Sequence, residues 1–239
     1  GANRGIGFQL VSRFLEQGYT VHGTVRPQMK NDPSVSDASL NPRAKLLELD
    51  FTIEETILQA AKDFGDHVLD ILVNCAGDPL THSLRLYYLW DDKPFTEQSA
   101  DDLLSHFKVN VVGPFLASKA FSPALERSPL GKIINVSSDF ASITDNTGGN
   151  ACYRVSKTAL NQLTKNMALD LNKLGVSNVR TLAVHPGYVA TKMTGYHGED
   201  DMETCMNGLV QLIERFGTDD GKAIASGAYV RWNGDHMSY

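Results

Sequence analysis

A tyrosine and a lysine stand four positions apart in "ACYRVSK", Tyr153 and Lys157, directly after the polar, glycine-containing "DNTGGN". On a helix, residues i and i+4 share one face, so the two side chains would reach the same place. A tyrosine hydroxyl can hand its proton to a carbonyl oxygen while a hydride reaches the carbonyl carbon. A phenol with a pKa of about 10 is a reluctant acid near neutrality, however. A lysine charge roughly 5 Å away, at an effective dielectric of about 20, would stabilise the phenolate by about 3 kcal/mol, or roughly two pKa units. Lysine suits this task as a compact point charge whose remaining donors can hold a ribose hydroxyl. A serine from the preceding "IINVSSD", Ser137 or Ser138, would orient the substrate oxygen.

The bare spacing proves little, because 8 Tyr and 12 Lys in 239 residues give about 0.4 such matches by chance. A second match, Tyr188…Lys192, follows "HPG" in a loop, where a four-residue spacing fixes no relative geometry. The first match lies on a helix that follows a strand ending in serines, and this context selects it.

The elements that must position these residues alternate along the chain. Ile6, Leu10, Val11, Phe14 and Leu15 recur at helical spacing from about residue 5 and stop at Gly18. "YTVHGTVR" reads as a buried strand, residues 27–43 as an irregular connection, "AKLLELD" as a strand and "IEETILQAAKDF" as a helix. "LDILVNCAG" has the near-continuous apolar run of a parallel strand covered on both faces. Residues 99–125 are mainly helical, "GKIINVSS" is a strand, 153–174 a helix ending at Gly175, and "VRTLAVHPG" and "GAYVRWNG" are the last strands. The expected fold is α/β, a Rossmann-like doubly wound parallel sheet with helices on both faces and ligands at the strand carboxyl ends.

Gly1, Gly5 and Gly7 in "GANRGIG" open the first helix, where free N–H groups and the helix dipole would face a phosphate. A plain helix start is the competing reading, since the spacing is not G-x-G-x-x-G. Such a turn should follow a strand, and none precedes Gly1. The expectation is that the first, central strand is missing from this sequence.

A formal net charge of −6 and 42% hydrophobic content fit one globular domain over 1–239, with no basic face for nucleic acid or an anionic membrane. The partner expected is a small molecule. Cys75, Cys152 and Cys205 have no CxxC spacing, which favours a reducing, cytoplasmic setting and small packing roles. No apolar run reaches membrane-spanning length. His185 reads as a satisfied structural histidine, and "GEDDMET" as a helix cap rather than a metal site; no metal is expected.

"GANRGIG", "VNCAG", "FKVNVVGPF", "INVSS", "YRVSK" and "HPGYVATKM", in this order over nearly the whole chain, resemble the short-chain dehydrogenase/reductases. "SITDNTGGNACYRVSKTALN" is similar to the C-factor and sniffer-like carbonyl reductase branch. The resemblance implies a tetrad of Asn110, Ser138, Tyr153 and Lys157: Tyr153 as acid/base, Lys157 as pKa modifier and ribose anchor, Asn110 supporting a relay water, and Ser138 rather than Ser137 orienting the carbonyl. It implies Gly1, Asn3, Arg4, Ile6 and Gly7 at the phosphates, Asp50 and Phe51 at the adenine, and Asn74, Ala76 and Gly77 at the ribose side. Cys75 stands where asparagine is usual. Pro186, Gly187, Val189 and Thr191 would face the nicotinamide carboxamide.

Where an NAD enzyme carries an acidic residue at the end of the second strand, this chain has Arg26, and Arg4 lies in the glycine turn. Two guanidinium groups suit a 2′-phosphate, so NADP(H) is the expected cofactor; the plain alternative is that Arg26 snorkels at a strand end. The substrate loop, about 78–98, holds Tyr87, Tyr88, Trp90 and Phe95, and with the C-terminal segment, about 193–217, would form the active-site wall. An aromatic lining favours a bulky apolar or aromatic ketone or aldehyde, while a lid packed on its own core reads equally well. The activity implied is NADPH-dependent carbonyl reduction. The alternatives are a nucleotide-sensing protein without turnover and a redox-neutral epimerase or dehydratase. A homo-oligomer through the helix at 153–174 follows from the family's habit.

Overall fold

The computed structural model describes residues 1–29, 44–75, 94–219 and 224–239. Six strands are assigned among them: β1 (Val21–Val25), β2 (Ala44–Glu48), β3 (Ile71–Asn74), β4 (Gly131–Val136), β5 (Val179–His185) and β6 (Ala228–Arg231). All pairings are parallel, in two sheets of order β1-β2 and β3-β4-β5-β6. The break between the sheets falls between β1 and β3, where the sequence reading expects a further strand.

The helices are α1 (Gly5–Glu16), α2 (Glu54–Phe64), α3 (Ala100–Phe107), α4 (Gly113–Glu126), α5 (Ala151–Lys173) and α6 (Met202–Arg215). α1 and α6 cover one face, where Leu10, Phe14, Met206, Leu209 and Ile213 meet Ile134, Val136, Leu182 and Val184. On the other face α2 and α4 enclose Leu49, Ile57, Phe64 and Phe121, and α5 packs along β5. Every residue of β4 is buried, as a central strand covered on both sides requires.

The ends follow local chemistry. Gly18, at φ 93°, closes α1 by donating to Leu15 O. Asp201 caps α6 by accepting from Thr204 N–H at 2.8 Å, the capping role read from "GEDDMET". Buried Lys132 of β4 donates to Ile213 O and Glu214 O at the other end of α6. Between α3 and α4 the chain makes a π-helical turn, Lys108–Val112, where the sequence reading sees only helix. Pro114, with no N–H, cannot donate to the carbonyl of Asn110 four residues earlier, so the turn widens there.

Beneath the strand ends lies a buried polar chain. Asn74 Nδ2 donates to Asn135 Oδ1 at 2.8 Å and to Ser118 Oγ at 3.2 Å. Asn135 Nδ2 donates to Thr164 Oγ1 at 2.8 Å, and Thr181 Oγ1 donates to Thr164 O at 2.9 Å. It ties β3, β4, β5, α4 and α5 together under the region where the candidate residues converge.

Candidate active site

Ser138 leaves β4 in extended conformation and opens a 3-10 turn, Asp139–Ala141. Its Oγ donates to Asp139 Oδ1 at 2.9 Å, accepts from Phe140 N–H at 3.2 Å and bonds the Tyr153 side chain. Ser137 points elsewhere, its Oγ donating to Asn161 Oδ1 at 2.6 Å.

Tyr153 and Lys157 lie one turn apart near the start of α5, with Lys157 Nζ 5.7 Å from the Tyr153 ring centroid. Lys157 Nζ donates to Val136 O at 2.8 Å. Burial pushes the Tyr153 phenol up to about 12; the Ser138 hydrogen bond opposes the rise and the Asp139 carboxylate adds to it. Burial also pulls Lys157 down to about 8, against the neighbouring Cys75 thiol. The sequence reading expects the lysine to bring the phenol toward neutrality, and the structure corrects it. Desolvation disfavours the charged form of both partners and is the largest cause of both shifts. The consequence is a phenol that keeps its proton throughout the neutral range.

The Tyr153 ring is flanked by two other rings, His106 at 5.9 Å and Phe140 at 6.1 Å, both edge-on. Phe140 is held from its own face by the Arg154 guanidinium, 4.0 Å from the ring centroid. Arg154 in turn donates to Gly149 O and Thr147 Oγ1. Asn110, in the π-turn, donates to Ser156 Oγ at 3.0 Å, and Ser156 donates to the carbonyl of Tyr153 at 2.7 Å. Asn110 Oδ1 is buried with no hydrogen bond among the described residues.

A cleft of about 1480 Å³ joins these groups to the glycine turn and continues between β1 and β3. Ser138, Tyr153, Lys157, Gly1, Asn3, Arg4, Ile6, Gly7, Arg26, Asp50, Phe51, Asn74, Pro186, Gly187, Val189 and Thr191 all line it. Asn110 does not; it stands behind Tyr153. Ala76, Gly77, Tyr87, Tyr88 and Trp90 lie outside the described residues, and Phe95 is exposed.

The glycine turn is a tight cradle: a Cβ on Gly7 would stand 2.1 Å from Gly1 O, so a side chain there would force the turn open. Gly5 adopts φ 53° and packs against the Thr191 side chain, linking the turn to the 186–191 segment. Burial raises the Asp50 carboxyl, but hydrogen bonds from Thr52 and Gln28, with the Arg26 charge, hold it below its usual range. Asn74 lines the cleft while its side-chain Nδ2 is bonded into the polar chain beneath it.

Burial raises the Cys75, Cys152 and Cys205 thiols, Cys205 to about 11, so none is an activated nucleophile. Sequence reasoning missed Asp139, Phe140 and His106. Their signals were proximity: "SSDF" places the first two just beyond Ser138, and His106 lies four residues before Asn110.

The short chain dehydrogenase family profile matches residues 1–202; the chain belongs to this family and is an oxidoreductase. Superposition supports the same fold over the whole chain. A carbonyl reductase from chicken fatty liver, solved with NADPH bound, is similar at a TM-score of 0.84 and 26% identity, covering 100% of this chain and 96% of that one. The carbonyl reductase Sniffer of D. melanogaster reaches 0.83 and 28%, covering 100% and 97%. The C-signal protein of Myxococcus xanthus is 32% identical over 114 residues, 47% of this chain and 67% of that protein. No helix among the described residues is long and apolar enough to cross a membrane.

Proposed function

We propose that the protein is an NADPH-dependent carbonyl reductase that turns a bulky apolar or aromatic ketone or aldehyde into the alcohol. The observation that carries this reading is the half-buried Tyr153 phenol, held protonated beside Ser138 and Lys157 at the end of the cleft. The glycine turn at the α1 N-terminus fits a pyrophosphate, and Arg4 and Arg26, both lining the cleft, fit a 2′-phosphate. NADPH, when bound, supplies the hydride for the carbonyl carbon.

The chain's own groups handle the oxygen. Ser138 Oγ orients it and Tyr153 donates its proton as negative charge develops there. Since an alkoxide is far more basic than a phenolate, a phenol at about 12 still gives up its proton downhill. Lys157 supplies positive charge behind the phenolate as it forms. Phe140, which lines the cleft against the Tyr153 ring, offers ring surface beside the reacting oxygen, which supports an aromatic substrate.

We also propose that the whole of 1–239 is one domain and that copies pair through α5, where Val155 and Leu169 are exposed; sedimentation velocity at two protein concentrations tests the pairing. For the activity, NADPH and 4-nitrobenzaldehyde are mixed with the protein and the loss of NADPH absorbance is followed. Consumption of NADPH with formation of the alcohol is expected. Tight NADPH binding without consumption would favour the sensing reading, and a redox-neutral product would favour the epimerase or dehydratase reading.

A further inference from the structure

The peptide unit that joins Ser138 to Asp139 is gripped at both ends by side chains from β5 and β6. Its carbonyl, Ser138 O, accepts from the hydroxyl of Tyr229 on β6 and, within the turn, from the Ala141 N–H at 3.0 Å. Its N–H, on Asp139, donates to Nδ1 of His185 at the end of β5, 3.1 Å away. Tyr229 is 1% and His185 4% exposed, so neither bond competes with water. We propose that Tyr229 and His185 are positioning residues that set the plane of this peptide and thereby aim Ser138 Oγ at the reacting oxygen. This inference rests on the proposed role of Ser138.

The argument is geometric. The Ala141 bond lies within the turn and moves with it, so the side chains of Tyr229 and His185 are what tie this peptide to the other strands and hold it against tilting about the strand axis. Ser138 hangs from this peptide, and its Oγ lies among Asp139 Oδ1, Phe140 N–H and the Tyr153 side chain. A tilt would turn Oγ from Tyr153 toward the Asp139 carboxylate, which is half exposed and already takes its proton.

The two grips are specific in sense. Tyr229 donates to a carbonyl. His185 must accept at Nδ1, which requires the neutral imidazole with its proton on the other nitrogen. Burial favours that neutral form over the opposing pull of Asp139 and Asp200, and Arg231 favours it too. The 3.8 Å approach of His185 Nδ1 to Asp139 Oδ1 is therefore no ion pair. Tyr229 is itself steadied by the ring of Tyr239, 5.7 Å away, so the phenylalanine variant keeps the packing and loses only the hydroxyl.

The test is a double-mutant cycle on reduction of 4-nitrobenzaldehyde by NADPH in the full-length protein. Tyr229→Phe is expected to lower kcat roughly tenfold, with NADPH affinity within about twofold and a melting temperature close to that of the parent protein. In a Ser138→Ala background the same change should have no further effect on kcat, because no hydroxyl remains to be aimed. His185→Asn keeps an acceptor where Nδ1 sits and should retain most of the kcat, whereas His185→Leu should lose it as Tyr229→Phe does. An undiminished kcat in Tyr229→Phe, or an equal loss with and without Ser138, would overturn the proposal. Unchanged turnover in Ser138→Ala alone would overturn the reading beneath it, a failure seen in a different variant.

Discussion

The two ends of the cleft are built on opposite plans. At the strand-end side, Ser138, Tyr153 and Lys157 are enclosed, bonded to one another or to buried backbone, and shifted by desolvation. At the glycine-turn side the apparatus is backbone N–H, the close turn that Gly7 permits, and the cationic side chains of Arg4 and Arg26 at the cleft wall. The difference teaches which free energy each end controls. In the proposed function, the enclosed groups act where charge develops in the transition state, and the cradle and guanidinium groups act on affinity for the cofactor.

The sharpest way to break this contrast is Tyr153→Phe. It should lower kcat roughly a thousandfold while the NADPH dissociation constant, read by fluorescence titration, stays within about twofold; a parallel loss of affinity would merge the two ends. Arg26→Ala should do the reverse. Losing a charge-assisted contact of about 1.5 to 3 kcal/mol would weaken NADPH binding roughly 10- to 150-fold, leave NADH binding unchanged, and leave kcat at saturation intact.

The pH profile sharpens the enclosed end. Lys157 is charged below about 8 and loses its charge as pH rises through that value, whereas Tyr153 keeps its proton up to about 12. The kcat for reduction should therefore be flat below about 8 and fall roughly tenfold per unit above it. Lys157→Met should give a low rate without that limb. The smallest effect is expected from Ile134→Val, in the core beneath both ends, where Ile134 is fully buried. It should cost about 0.5 to 1.5 kcal/mol in chemical denaturation and move neither kcat nor NADPH affinity.

Much of this division was legible in the sequence, for a physical reason. Tyr153 and Lys157 could be read as a pair because helical spacing fixes their relation locally, and the glycine turn because only small residues allow that backbone to close. The strands were legible as apolar runs, β4 most clearly. What escaped depends on contacts between distant segments. The rings of His106 and Phe140 reach Tyr153 from positions 106 and 140, and no local pattern brings them together. "GAYVRWNG" reads as a strand, but nothing in it says that Tyr229 donates to Ser138. The Tyr153 pKa escaped because a pairwise Coulomb estimate assumed solvent near the phenol, whereas its enclosure is a property of the folded surroundings. The bonds of Asn74 Nδ2 to Asn135 and Ser118 were unreadable for the same reason: its place at a strand end could be read, and the direction of its amide could not.

The polar chain Asn74–Asn135–Thr164–Thr181 has a consequence for how the sheet comes together. Beyond Gly131, Lys132 and Asn135, β4 offers only Ile133, Ile134 and Val136, similar apolar side chains that by themselves distinguish poorly between neighbouring offsets. A slip of one residue would swing Asn135 to the opposite face, among Phe14, Leu182 and Leu209, and leave the Asn74 amide and the Thr164 hydroxyl without their partner in a dry interior. The chain thus acts as a proofreading device for strand alignment during folding.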